Sequence, residues 1–224
     1  MSSFLKKYKL FITTLFVLSC IIITLFYNIL KPIKVLPIYQ PAQVNYELVD
    51  STIQHQKKYH HIADFSLINQ NGDTITQEFY KNKIYVADFF FTTCQTICPI
   101  MTDHMHDIQK QTISDPDVLL LSHSVTPEID TVAQLKRYAS QKLVNASKWN
   151  LVTGDKKQIY ELARKSYLAV KDAGSGGPFD MIHTENFMLI DKKRQIRGFY
   201  DGTDSEEIER LLEDIKVLKA SYKN

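Results

Sequence analysis

The chain has 224 residues, 44% hydrophobic and 23% charged, and its seven glycines and seven prolines exclude collagen-like and low-complexity classes. Three cysteines are too few for a disulfide-stapled scaffold or a four-thiolate zinc site. The net charge of +2 divides unevenly: residues 1–34 hold five lysines and no acid, which leaves −3 on the remainder and argues against a nucleic-acid-binding body.

Leu10 to Leu30 is an uncharged run of 21 residues, long enough as a helix to cross a hydrocarbon core of about 30 Å. A secretory signal has an apolar region of only about 7–15 residues and a small-residue cleavage site. No A-x-A pattern follows this run, so it reads as an uncleaved anchor. Val17-Leu18-Ser19-Cys20 has the form of a bacterial lipoprotein cleavage site, but Ile21–Leu30 stays apolar beyond it, so Cys20 reads as lipid-facing. Lys6, Lys7 and Lys9 precede the run and Lys31 and Lys34 follow it. This bias puts residues 1–9 in the cytoplasm and the chain beyond 30 outside, in the bacterial periplasm or an equivalent space where a cysteine pair can be oxidised.

Residues 31–59, with Pro32, Pro37 and Pro41, read as a tether, and residues 60–224 as one domain. Alternating residues around Asn71-Gly72 predict a hairpin. Lys83–Phe91 reads as a buried strand, Pro99–Gln111 as a helix and Val118–Ser124 as a second buried strand. Further on come a helix over Ile129–Lys142, a strand at Asn150–Thr153 and a helix capped by Asp155 running to Tyr167. Ala173–Pro178 reads as a flexible loop, Glu185–Asp191 and Gln195–Tyr200 as two strands, and Asp204 or Ser205 opens a last helix to about Ser221. Strands alternating with helices mean an α/β layer fold with a mainly parallel sheet.

Cys94 and Cys98 lie where a buried strand runs into a helix, the edge at which α/β folds place their sites. A helix N-terminus favours the thiolate. Two such thiols can exchange with disulfides, or bind a soft metal such as Cu(I), zinc or an iron–sulfur centre. A static structural bridge would close too small a loop to stabilise much. His183, between the flexible loop and a strand, is a possible third donor, although alone it would more often be a packing histidine. His104, His106 and His123 are weaker candidates, and His55, His60 and His61 read as solvated.

The blocks DFFFTTCQTICPIMTDHM, HSVTPEIDTVAQLKRYA, WNLVTGDKKQIYELARKSYLAV and IHTENFMLIDKKRQIRGFY, in this order, resemble the SCO/SenC family over most of residues 60–217. The resemblance implies a membrane-anchored thioredoxin-like domain, with a central mixed sheet flanked by helices and an N-terminal β-hairpin. It implies one copper ion per chain, Cu(I) or Cu(II), on Cys94, Cys98 and His183, with the cysteines also a redox pair. The implied role is assembly of the copper centre of cytochrome c oxidase, by copper delivery, by reduction of the recipient's cysteines, or both. Implied partners are the copper-receiving oxidase subunit, the membrane, and a periplasmic copper carrier or thioredoxin-like reductase. The alternative is a metal-independent thiol–disulfide oxidoreductase, against which stands the C-x-x-x-C spacing where thioredoxins have C-x-x-C. A peroxiredoxin-like reading fails because Phe91 and Gln95 stand where a threonine would precede the reactive cysteine. The chain departs from the family in having Gln95 and Thr96 where members often have Pro and Asp, and Ile182 where many have Asp before the histidine.

Overall fold

The computed structural model describes residues 7–30, 34–44, 52–169, 182 and 184–222. His183 and the Ala173–Pro178 loop lie outside the described residues. The chain divides into two compact units, residues 1–35 and 36–224. In the first, α1 (Lys9–Leu30) is long and apolar enough to cross a membrane.

The second unit is built on one sheet. Its strands are β1 (Ser66–Asn69), β2 (Thr74–Thr76), β3 (Ile84–Phe90), β4 (Val118–Ser124), β5 (Trp149–Thr153), β6 (Asn186–Ile190) and β7 (Ile196–Asp201), in the spatial order β2-β1-β5-β4-β3-β6-β7. β1 and β2 form the hairpin expected at Asn71-Gly72, and Gly72 adopts the left-handed φ of 87° that the turn requires. β3 and β4 are buried on both faces, as their continuous apolar runs predict.

The helices are α2 (Ile97–Thr112), α3 (Val132–Gln141), α4 (Lys156–Glu161) and α5 (Ser205–Ala220). The crossovers β3–α2–β4 and β4–α3–β5 step in one direction across the sheet, so right-handed connection puts both helices on one face. There Met101, Met105, Leu135 and Tyr138 pack with α5 on Val86, Phe90, Leu120 and Trp149. The next crossover steps back towards β6, which puts α4 on the other face, over Tyr85, Phe89 and Leu121. α4 ends in a π-helical turn, Leu162–Ser166, where a continuous helix to Tyr167 is expected.

The sheet is mixed. Only β3–β4 and β4–β5 are parallel; β1–β2, β1–β5, β3–β6 and β6–β7 are antiparallel. The mainly parallel expectation therefore holds only at the centre. It fails at β6, whose first residues lie at the carboxyl end of β3, so that β6 runs the opposite way. Helix starts also shift. α3 begins at Val132, because the Thr131 hydroxyl accepts from Gln134 N as its cap while Asp130 is turned inward. α2 begins at Ile97, which places Pro99 in the first turn, where no N–H is needed.

The stretch expected to be a free tether is partly packed. Leu36 and Pro41 are buried, Tyr39 meets Phe199 edge-on at 5.2 Å, and Tyr39 N donates to Ile196 O. Arg197 donates to the carbonyls of Leu36 and Pro37. His60, expected in solvent, is buried with Nε2 2.8 Å from Ser166 O. The prolines there fix extended backbone for docking as readily as for a linker.

Candidate functional site

β3 delivers the site. Past Phe90 the chain turns, Cys94 N donates to Phe91 O, and α2 starts at Ile97. Cys94 is therefore partly exposed in the turn, whereas Cys98, in the helix's first turn, is buried against the core. Both are free thiols.

Their chemistry diverges. Burial opposes ionisation of Cys94, but hydrogen bonds from Thr96 and Cys98 outweigh it and bring that thiol down to about 7. The Thr96 hydroxyl lies 3.5 Å from Cys94 Sγ. Thr96 is the N-cap residue of α2, yet its side chain makes no cap bond, so its hydroxyl serves the sulfur instead. Burial pushes the Cys98 thiol up to about 12; a hydrogen bond with the Phe91 backbone opposes this, and the neighbouring Cys94 and Asp88 add to it. One thiol is thus about half ionised at neutral pH, and its partner holds its proton.

Two buried carboxylates that sequence patterns do not reveal lie near the pair. Asp130 is fully buried and accepts from Thr92 N and Oγ1, Ser124 Oγ (2.6 Å) and Thr126 Oγ1 (3.1 Å). Gln134 Nε2 adds a bond to Thr92 Oγ1. This carboxylate ties the turn carrying Cys94 to the segment after β4. Asp88 sits on the β3 face that carries Val86 and Phe90 towards α2. Burial raises its carboxyl to about 7 against a hydrogen bond from Ser122, and its Oδ1 has no hydrogen-bond partner. His123 Nδ1 donates to Asp88 O, and its ring stacks on Phe89 at 4.8 Å. Burial depresses it to about 4, so it is neutral. Its full burial and its stacking on Phe89 place His123 in the core packing.

His104 Nδ1 donates to Gly202 O at 2.7 Å, which ties α2 to the turn before α5. Among the described residues no group of three or more His, Cys, Asp or Glu side chains could hold a metal. The described part of the candidate centre is thus the thiol pair. On either side of His183, Ile182 and Thr184 are buried, and they line a small hollow with Phe89, Phe91, Ile97, Cys98 and Val125. Ile182 lies in the core cluster, so it offers no polar partner beside His183.

Residues 53–220 match the SCO1/SenC family. A SCO1/SenC family lipoprotein of Bacillus anthracis superposes with a TM-score of 0.63 at 32% identity, over 71% of this chain and 95% of that one. BsSco, described with a disulfide switch and as a member of the Sco family of cytochrome c oxidase assembly proteins, gives 0.61 at 32% identity, over 71% and 93%. A copper-bound ScoI of Arabidopsis thaliana gives 0.55 at 25%, over 69% and 97%. These neighbours share the thioredoxin-like α/β fold.

Proposed function

Because the chain belongs to the SCO1/SenC family, we propose that it holds one copper ion on Cys94, Cys98 and His183 and passes it to the copper-receiving subunit of cytochrome c oxidase. Copper is cargo here. The observation that carries the reading is the thiol pair at the carboxyl edge of β3, Cys94 partly exposed in the turn and Cys98 buried in the first turn of α2. Two soft thiolates and an imidazole suit Cu(I). The burial of Ile182 and Thr184 beside Cys98 supports His183 as the third donor. α1 is the anchor in this reading, and residues 36–224 work outside the cytoplasm.

Anaerobic Cu(I) titration of the reduced protein tests it. One copper per chain is expected, with three ligands in the wild type and two in His183→Ala. Failure of the reduced wild type to bind copper would overturn the reading.

The split between the thiols favours a second use of the same pair. Cys94 thiolate attacks a partner disulfide, forming a mixed disulfide and releasing one partner thiolate. Cys98 then loses its proton and attacks Cys94 sulfur, releasing the second. The partner gains two electrons and the chain is left with a Cys94–Cys98 disulfide. If His183→Ala kept full activity in cells while Cys94→Ala lost it, this metal-independent use would be the main one.

A further inference from the structure

The parallel strands β3, β4 and β5 give the second unit two unlike poles. The thiols occupy the carboxyl pole. The opposite pole collects the amino ends of these strands and the carboxyl ends of α2, α3 and α5. There the ammonium groups of Lys83 and Lys192 lie on Asp117, that of Lys219 on the Asp115 carboxylate, and that of Lys148 on Asp115 O. Four ammonium groups thus surround two carboxylates, and exposed Lys193 lies beside them. The pole is positive on a unit that is −3 as a whole.

The same pole holds large apolar side chains out in water. Ile113, just past α2, is 50% exposed, and Leu143, just past α3, is 69% exposed. Tyr59, ahead of the His60–Ser166 contact, is 84% exposed. Leu143 and Tyr59 also have φ of 55° and 66°, the left-handed region that suits glycine. Each therefore combines backbone strain with solvent exposure of an apolar side chain. Past α5, the Tyr222 ring lies 5.5 Å from the Lys192 ammonium. Finally, Arg197, near the start of β7, binds the carbonyls of Leu36 and Pro37, so the first residues of the unit lie at this pole.

We propose that this basic, apolar-studded pole docks on an anionic lipid surface, which holds the thiol pole facing away from the bilayer. Lysines interleaved with Tyr, Leu and Ile are the composition of interfacial contacts. Each lysine near an anionic surface adds to the attraction. The acidic remainder of the unit is repelled, which selects the orientation. The proposal rests on the reading of α1 as a membrane anchor.

The full chain, with Cys20, Cys94 and Cys98 replaced by Ser, is given one new thiol by Ile113→Cys, by Leu143→Cys, or by Ile129→Cys as a control on the thiol side. Each variant carries a fluorophore and is reconstituted in vesicles of phosphatidylcholine alone or mixed with phosphatidylglycerol, doped with headgroup spin-labelled lipid. Quenching at 113 and 143 is expected to be roughly threefold or more stronger with phosphatidylglycerol and to be released by high salt. The label at 129 stays unquenched throughout. Equal quenching at all three positions, or no dependence on anionic lipid, overturns the proposal. Failure of the chain to float with either kind of vesicle sinks the anchor reading, and the proposal with it.

Discussion

The two cysteines differ because of what touches them, and one hydroxyl does much of the work. Thr96 donates to the Cys94 thiolate, where a carboxylate in its place would repel it. A hydrogen bond of ordinary net strength corresponds to up to about one pH unit. Thr96→Val is therefore expected to raise the Cys94 midpoint from about 7 by up to about one unit. Thr96→Asp should raise it further. Thiolate absorbance against pH measures both, and an unmoved midpoint would count against Thr96 as the donor. Asp88 and His123 act on stability with opposite signs. Folded Asp88 keeps its proton to about pH 7, against 3.8 for the free group, so its contribution is complete below 3.8 and is lost as pH rises towards 7. Folded His123 stays neutral down to about 4, against 6.5, so its contribution is complete above 6.5 and is lost as pH falls towards 4. The slopes, about 1.4 kcal/mol per pH unit each, oppose one another between these limits. Asp88→Asn should lose stability on acidification through this window, and His123→Phe should gain it. Urea unfolding at a series of pH values reads both, and a flat profile in either variant refutes the assignment.

At the scale of elements, the site turn is held by a contact between segments far apart in sequence. Removing the Asp130 carboxylate leaves Thr92 N, Thr92 Oγ1, Ser124 Oγ and Thr126 Oγ1 without their acceptor. Asp130→Ala is expected to cost about 3 kcal/mol or more and Thr92→Val about 1 kcal/mol. Denaturant midpoints give both values, and a loss under about 0.5 kcal/mol in Asp130→Ala would remove Asp130 from this role. The sequence does not announce this residue. Thr92 and Asp130 are 38 positions apart, and Thr126-Pro127-Glu128 reads locally as a helix start. What was legible rested on local signals. The Asn71-Gly72 turn, the Val118–Ser124 run and the Asp155 and Asp204 caps all stand where expected, since each needs only its neighbours. The cysteine pair was legible for the same reason, as a strand end running into a helix start. The antiparallel entry of β6, the burial of His123 and the inward turn of Asp130 depend on partners that no local pattern encodes.

For the whole molecule, the unit begins earlier than its proline-rich lead suggests. Leu36 to Gln40 contribute a buried leucine, an aromatic contact, the two carbonyls held by Arg197 and a hydrogen bond from His60 N to Gln40 Oε1. A fragment starting at residue 45 is expected to be about 3 kcal/mol less stable than one starting at residue 36. For a unit of this size that lowers the unfolding temperature by roughly 6–12 °C. Equal melting of the two fragments would show the lead to be dispensable. The same lead has a bearing on solubility. β7 is an outer strand of the sheet, and a bare outer strand invites pairing with another copy. Here Tyr39 N covers Ile196 O, and the Arg210 guanidinium covers Phe199 O. The residues that lead into the unit thus also blunt a template for aggregation, so the protein is guarded against self-association by its own proline-bearing lead.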